Sequence, residues 1–203
     1  MTTIQIKDDY AEIYDDVHIP NPNGLKVQLG CGNEKKAGFI NIDNSPLVHP
    51  DLIANLEDEN CLSLFRDNSV DEIIANHVLE HINNFIPLVK EMHRICKRGA
   101  KIYIRVPFYA GWGQWNDPTH VRFFSLYTFD YFNPSIYSHE CGISSKSKPM
   151  FDIEARLNYA IGKLSFMNWI INPLINLWQG FYVRFFAFII PASEIRYELT
   201  CLK

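Results

Sequence analysis

A short turn with two glycines, placed between two apolar stretches, constrains this chain more than any other feature of its sequence. The stretch 25–29 leads directly into Gly30 and Gly32, and a second stretch, 39–43, ends at Asp43. Glycine has no Cβ, so the backbone at such a turn can bend sharply and approach a ligand closely. A carboxylate at the tip of the neighbouring strand can accept hydrogen bonds from both ribose hydroxyls of a nucleoside. The pattern therefore predicts two adjacent strands with a nucleoside site at their ends.

Composition and charge argue against several classes of protein. The 203 residues carry a net charge of -4 without a run of Lys or Arg, which argues against a nucleic-acid-binding surface. The N-terminus has neither a basic start nor an apolar core, so we predict no signal peptide. The five cysteines form no Cys-x-x-Cys pair, which is typical of a protein from a reducing compartment. We therefore expect a cytoplasmic protein with no nucleic-acid partner.

The periodicity of apolar residues predicts an α/β fold. Strand-like and helix-like segments alternate after a polar N-terminal arm at 1–24. The predicted strands lie at 25–29, 39–43, 51–56, 70–75, 100–106, 151–159 and 194–202, and an amphipathic helix is predicted at 84–97. This alternation favours a doubly wound, mostly parallel sheet, closed by the last two strands as a pair with an antiparallel C-terminal strand. Residues 25–203 then form a single domain, with an apolar helical insertion at about 161–190.

Five motifs in a fixed order resemble those of a known enzyme family. They lie at 27–32, 38–43, 67–73, 77–81 and 98–107. In this order and at this spacing they resemble the class I S-adenosylmethionine-dependent methyltransferases of the type 11 group. The resemblance covers roughly residues 25–132. It implies a Rossmann-like methyltransferase fold, with S-adenosylmethionine as the cofactor.

The resemblance also implies which residues bind that cofactor. Eight positions match the family's motifs: Gly30, Cys31, Gly32, Asp43, Asn55, Leu56, Asn76 and His77. The two glycines would lie against the methionine part of the cofactor, with Cys31 between them contributing only packing or its backbone, and the aspartate would bind its ribose. The next two would flank the adenine, and the last two would lie beside the sulfonium. The segment between Gly32 and Phe39 is too short for the usual first crossover helix, so we expect a turn there.

The loop after the fifth predicted strand, residues 107–124, is the candidate for the acceptor side. It leaves the carboxyl end of a parallel strand, where ligands bind in such sheets. Asp117 and His120 lie three positions apart in it, and a histidine oriented by a carboxylate commonly acts as a general base. A hydroxyl acceptor needs such a base. We therefore predict O-directed methyl transfer to a small polar or glycan-type acceptor, with His120 and Asp117 as catalytic residues.

Other interpretations of the same residues stay open. A protein of this fold that binds the cofactor or acts as a scaffold without catalysis is the alternative to an enzyme, and Asp117 to His120 also fits a structural turn. A dinucleotide-dependent oxidoreductase is disfavoured because the glycine turn lacks the third glycine of that fingerprint. His77 and His81 have the spacing of metal ligands on a helix, but the sequence shows no evident third ligand. We therefore predict no metal.

Residues 164–183 contain no charged side chain, yet a polar stripe repeats along them at helical spacing. The stripe consists of Asn168, Asn172, Asn176 and Gln179. With Pro173 inside it, the segment fits an amphipathic element better than a membrane span. We expect its apolar face to cover the sheet or a partner in a homodimer. The alternative is peripheral contact with a membrane or a lipid-linked acceptor, through three aromatic residues: Trp169, Trp178 and Tyr182.

Overall fold

The computed structural model describes residues 5–6, 24–133 and 148–203, and a single mixed sheet runs through them. Its eight strands lie in the order β1-β4-β3-β2-β5-β6-β8-β7. The strands are β1 (Gln5–Ile6), β2 (Leu25–Leu29), β3 (Ile40–Asp43), β4 (Leu52–Ile53), β5 (Val70–Asn76), β6 (Cys96–Pro107), β7 (Phe151–Asn158) and β8 (Glu194–Cys201). The predicted N-terminal arm, 1–24, lies outside the described residues except for β1 and Gly24.

The middle of the sheet is parallel. Strands β4, β3, β2, β5 and β6 run in one direction, whereas β8 is antiparallel to both β6 and β7, and β1 is antiparallel to β4. The chain runs outward from β2 to β4 and then returns to β5 on the other side of β2. Ligands of such sheets bind beyond the carboxyl ends of the strands where this reversal occurs. The predicted doubly wound, mostly parallel sheet with an antiparallel C-terminal strand is confirmed.

Four α-helices lie among the described residues. They are α1 (Phe85–Ile95), α2 (Trp112–Asn116), α3 (Asn168–Leu177) and α4 (Gln179–Phe185). Short 3-10 helices occupy Pro46–Val48, Leu79–His81, Thr128–Phe132 and Gly162–Met167. Helix α1 buries residues that recur at helical spacing: Phe85, Leu88, Val89, Met92 and Ile95. Those side chains join the core formed by the central strands.

Two elements differ from their predicted bounds by more than two residues, for local reasons. Strand β6 begins at Cys96 instead of residue 100, because Cys96 already pairs with Val70. The register then shifts, and a bulge forms around Gly99, whose φ is +82°. The predicted strand at 51–56 shrinks to β4, because a turn with a hydrogen bond from Asp58 N to Asn55 O follows it. Residues 33–39 form turns without a helix, as expected.

Candidate functional site

A cavity of about 470 Å³ opens beyond the carboxyl ends of β2, β3 and β5. Its walls come from the turn after each of these strands and from the turn after β4. The lining residues are Gly30, Gly32, Asp43, Asn44, Ala54, Asn55, Leu56, Glu57, His77, Val78, His81 and Ile82. Six of the eight residues predicted to bind the cofactor are among them, and Cys31 and Asn76 are not.

Asp43 ties the glycine turn to the end of β3. Its carboxylate accepts hydrogen bonds from Gly32 N at 2.8 Å and from Ser45 N at 3.0 Å. Each carboxylate oxygen has a further lone pair, so the side chain can still accept bonds from a ligand in the cavity. The residue that is predicted to bind ribose is thus already fixed by backbone amides.

The two glycines of the turn serve different purposes. Gly30 has a φ of +60°, and a Cβ placed on it would lie 2.4 Å from Cγ2 of Val78. Gly32 has a φ of +48°, and a Cβ placed there would meet nothing within 4 Å, since the space before it belongs to the cavity. Gly30 therefore lets two turns pack together, whereas Gly32 keeps the cavity open.

Cys31, between these glycines, contributes its backbone and not its thiol. Its side chain is buried, and its N–H donates to Ile42 O at 3.0 Å, which joins β2 to β3. Burial, together with the nearby carboxylate of Asp43, raises the pKa of the Cys31 thiol to about 11. A thiol in this state is a poor nucleophile.

The opposite wall is formed by Asn55, Leu56 and Glu57. The Asn55 side chain accepts from Glu57 N at 3.2 Å, so its oxygen is partly engaged in the turn. The Glu57 carboxylate accepts from Asn83 N and Asn84 N, both at 2.8 Å, at the start of α1. Burial would raise the pKa of Glu57, but these backbone bonds lower it. This wall is therefore a rigid turn that is attached to the first turn of a helix.

His77 follows β5 in a conformation that is rare for residues other than glycine, with a φ of +51°. Its Nδ1 lies 3.3 Å from Glu80 Oε1, and its Nε2 lies 3.5 Å from Glu194 Oε2. Hydrogen bonding to Glu194, and then to Glu80, raises the pKa of His77 to about 9. The cavity therefore has a cationic imidazolium on its wall near neutral pH. Asn76, directly before it, is the last residue of β5 and pairs with Arg105.

Glu194 is fully buried at the start of β8, where its carboxylate accepts hydrogen bonds from cationic and polar side chains. Arg105 Nη2 donates to it at 2.9 Å, Arg196 Nε at 2.7 Å and Asn158 Nδ2 at 3.0 Å. Burial would raise the pKa of Glu194, but its bonds with His77, Arg196 and Arg105 lower it to about 2. The antiparallel end of the sheet thus supplies an anion that holds His77 in place.

A second cluster lies behind His77 and consists of Glu80, His81 and His120. One potential ligand atom from each lies within 4.8 Å of the other two, and the two imidazole rings meet edge to face with centroids 4.8 Å apart. The Glu80 carboxylate is fully buried without a hydrogen bond, apart from its ion pair with His77. Such a cluster has the composition of a metal site. The ion pair with His77, however, already balances the charge of Glu80.

Hydrogen bonds determine which imidazole nitrogen is free in each ring. His120 Nδ1 donates to Gln114 O at 3.0 Å, which leaves the lone pair on Nε2. The Thr119 hydroxyl donates to Asp117 Oδ1 at 2.6 Å and therefore accepts from His81 Nδ1 at 2.9 Å. Both rings thus have an unprotonated Nε2 when neutral.

Asp117 does not orient His120 in the way the sequence suggested. Asp117 Oδ2 lies 3.9 Å from His120 Nε2, which is beyond hydrogen-bonding distance. Its carboxylate instead accepts from the side chain and backbone of Thr119, which lower the pKa of Asp117. The carbonyl of Gln114 orients His120, and Asp117 acts on His81 through Thr119.

Sequence reasoning assigned no role in this region to Glu80, His81 or Glu194, although the spacing of His77 and His81 was considered for a metal site. The first two belong to the motif at 77–81, whose spacing places them on one turn, and this spacing was the only available signal. No sequence signal pointed to Glu194, because it comes close to His77 only through the pairing of β8 with β6. Backbone bonds from Val121 N and Arg122 N to Glu80 O also dock the acceptor loop on this turn.

Comparison with known proteins finds one family model that matches part of the chain. The family model described as a methyltransferase domain matches residues 27–104. No curated protein sequence matches the chain significantly.

Solved structures share the fold at low sequence identity. A SAM-dependent methyltransferase from Archaeoglobus fulgidus aligns with a TM-score of 0.60 and 14% identity, over 88% of this chain and 86% of that one. The YcgJ protein of Bacillus subtilis aligns with a TM-score of 0.55 and 14% identity, over 89% and 92%. A phosphoethanolamine N-methyltransferase of Haemonchus contortus, in complex with S-adenosylhomocysteine, aligns with a TM-score of 0.54 and 13% identity, over 94% and 52%.

The family match covers the glycine turn, Asp43 and His77, which are the parts of the chain that build most of the cavity wall. The topology, with β8 antiparallel between β6 and β7, agrees with the fold of the aligned structures. Residues 27–104 thus match a methyltransferase domain, which uses S-adenosylmethionine as its cofactor, and the fold is that of S-adenosylmethionine-dependent methyltransferases.

Proposed function

We propose that this methyltransferase transfers the methyl group to a hydroxyl of a small polar or glycan-type acceptor, with His120 as the general base. The observation that carries the proposal is the state of His120. Its Nδ1 is bound to Gln114 O, and its ring lies against His81, which lines the cofactor cavity. Nε2 therefore keeps a lone pair that can accept a proton next to the cavity wall, although His120 itself does not line the cavity and its side chain is only 8% exposed.

The cofactor-binding residues are proposed on the same geometric grounds. Gly32 and Asp43 would contact the methionine part and the ribose, and Asn55 with Leu56 would flank the adenine. His77 would lie nearest the sulfonium. Because the pKa of His77 is raised, its cationic form is not suited to be the base. Cys31 and Asn76 do not line the cavity, so they would act only by holding the neighbouring turns in place, through the bond of Cys31 N to Ile42 O and the pairing of Asn76 with Arg105.

Methyl transfer from a sulfonium needs mainly an acceptor held in line with the methyl group. A hydroxyl also needs a base, because its proton has a high pKa and must leave during the reaction. A free imidazole Nε2 meets this need, whereas an amine that binds in its neutral form would not require it. The presence of His120 therefore favours an oxygen over a nitrogen as the methyl acceptor.

The loop before His120 presents aromatic faces suited to a ring-shaped polar acceptor. Trp112 and Trp115 are each 65% exposed, and Trp115 packs against Phe123 with centroids 5.0 Å apart. The indole N–H of Trp115 donates to Tyr109 O at 3.1 Å, which fixes the ring. Aromatic surfaces of this kind combine apolar contact with a polar edge.

We also infer a cytoplasmic location, supported by the four described cysteines, which are all free and buried.

The test is a set of single variants assayed for S-adenosylhomocysteine formation with a panel of monosaccharides and small hydroxy compounds. His120→Ala should lower turnover ~100-fold or more, while affinity for S-adenosylhomocysteine stays within about twofold. Asp117→Asn should have the smaller effect, because Asp117 makes no direct bond to His120.

Three results would contradict the assignment of the base to His120. A loss confined to His81→Ala would move that role to His81. Equal loss of cofactor binding in His120→Ala would make the loop a lid. Loss of turnover after dialysis against EDTA, restored by Zn²⁺ or Mn²⁺, would make the cluster of Glu80, His81 and His120 a metal site.

A further inference from the structure

The insertion between β7 and β8 is built with its polar side facing inward. Strand β7 is an edge strand, and four amide side chains bond to the backbone of residues 155–160 along its free edge. These side chains are Asn168, Asn172, Asn176 and Gln179. Asn176, for example, accepts from Leu157 N and donates to Leu157 O, both at 2.8 Å. The polar stripe predicted from the sequence therefore covers a sheet edge that would otherwise be open to pairing.

Because the polar side faces the sheet, the apolar side of the insertion faces away from it. The expectation that this apolar side covers the sheet or a homodimer partner holds for the sheet only in part: Ile175, Tyr182 and Ala187 join the buried core, and much of the rest is exposed. Its exposed members include Phe166, Trp169, Leu174, Leu177, Trp178, Phe188 and Ile189, which are 67 to 85% exposed. We call these seven residues the outer apolar surface. Tyr182, expected at the same surface, is instead buried, where its hydroxyl bonds to Ile190 O and Ala192 N.

The helical insertion itself carries charges of a single sign, although Glu154 of β7, which pairs with Arg156, lines the same cavity as Trp169. No Asp or Glu occurs between residues 155 and 193, whereas Lys163 and Arg184 lie within this stretch and are exposed. Exposed apolar and aromatic side chains flanked by cations are typical of elements that lie in the interface of an anionic bilayer. Tryptophan is enriched at that depth, and Trp169 and Trp178 are 85% and 72% exposed.

The same charges disfavour a second copy of the chain as the partner. In a two-fold symmetric interface, the same surface patch meets itself. Lys163 and Arg184 of one copy would then approach those of the other with no acidic residue from this stretch between them. Among the described residues no helix is long and apolar enough to cross a bilayer.

We propose that the outer apolar surface docks the enzyme on an anionic membrane, with α3 and α4 lying in the plane of the bilayer interface. Phe188 of this surface contacts Tyr109 of the acceptor loop, with ring centroids 5.7 Å apart. The docking surface thus continues to the side of the molecule where the acceptor is proposed to bind. The proposal concerns membrane binding alone, so it stands or falls independently of the acceptor and the base.

The experiment measures co-sedimentation of the full chain with vesicles of phosphatidylcholine alone and of phosphatidylcholine with phosphatidylglycerol. We expect stronger binding to the anionic vesicles, weakened by salt. Leu174→Glu, at a position that is 67% exposed, should reduce that binding at least ~10-fold, because a carboxylate enters the interface. Leu47→Glu is the matched control, since Leu47 is 85% exposed in the turn after β3, and it should bind as the wild type does.

Affinity for S-adenosylhomocysteine, measured for all three proteins, shows whether each is folded. Two results would overturn the proposal. In the first, the wild-type protein binds neither kind of vesicle, and light scattering shows a dimer that the Leu174→Glu substitution dissociates. The other is equal loss of vesicle binding in Leu174→Glu and Leu47→Glu when both variants still bind S-adenosylhomocysteine.

Discussion

Replacing Asp43 should weaken cofactor binding more than it weakens the fold. Its carboxylate accepts from Gly32 N at 2.8 Å and Ser45 N at 3.0 Å, and it is proposed to accept from both ribose hydroxyls. Loss of a charge-assisted pair of hydrogen bonds costs about 2–4 kcal/mol, or roughly 30- to 1000-fold in affinity. Asp43→Ala should therefore bind S-adenosylhomocysteine at least ~30-fold more weakly.

The same substitution has a smaller, separable effect on stability. Two backbone amides at the cavity wall lose their acceptor, which costs about 1–3 kcal/mol in the free energy of unfolding. Asp43→Asn keeps one carbonyl oxygen and should retain part of both effects. Titration calorimetry measures the affinity, and urea unfolding without cofactor measures the stability. Unchanged affinity in Asp43→Ala, in protein that remains folded, would refute the ribose assignment.

Two further predictions follow from the walls of the cavity. Gly30→Ala should lower the melting temperature more than Gly32→Ala, because its Cβ meets Val78 whereas that of Gly32 points into open space. Gly32→Ala should instead show the larger loss of affinity for S-adenosylhomocysteine relative to its loss of stability, and the reverse ranking would contradict these roles. Because the pKa of His77 is raised to about 9, protonated His77 stabilises the fold. This stability is fully present below the unfolded pKa of about 6.5 and is lost as the pH rises through about 9. His77→Asn should flatten the fall in unfolding free energy between roughly pH 7 and 10, and an unchanged pH dependence in this variant would contradict the role of His77.

The glycine turn and the central strands could be predicted because local patterns determine them. Apolar runs define β2 and β5 almost to the residue, and a glycine between strands marks a turn wherever it occurs in such a sheet. The lining of the cavity by Gly32, Asp43 and His77 follows, since each ends a parallel strand or lies within three residues of its end. Their positions at the ends of parallel strands bring these residues together in space and also make them recognisable in the sequence.

The orientation of the insertion could not be predicted from the same kind of pattern. Helical spacing shows that Asn168, Asn172 and Asn176 share one side of a helix, but it does not show which side faces the protein. The usual assumption buries the apolar side. Here the free backbone of the β7 edge outweighs it, because unpaired N–H and C=O groups need partners and the amide side chains supply them.

The hydrogen-bond and ion-pair partners of His77 and His120 could not be predicted for a different reason. Glu194 lies more than a hundred positions from His77 and reaches it only because β8 inserts beside β6. The binding of His120 to Gln114 O depends on the short helix α2, which bends the loop and displaces Asp117 from the distance a catalytic pair requires. Contacts made by tertiary pairing and by loop conformation leave no periodic signal in the sequence.

The position of the bound cofactor tests the account most directly. A crystal structure of the chain with S-adenosylhomocysteine should place both ribose hydroxyls within about 3.2 Å of the Asp43 carboxylate, with the adenine against Leu56 and the sulfur on the side of His77. The product bound elsewhere, or in the cavity with its ribose away from Asp43, would contradict the proposed site.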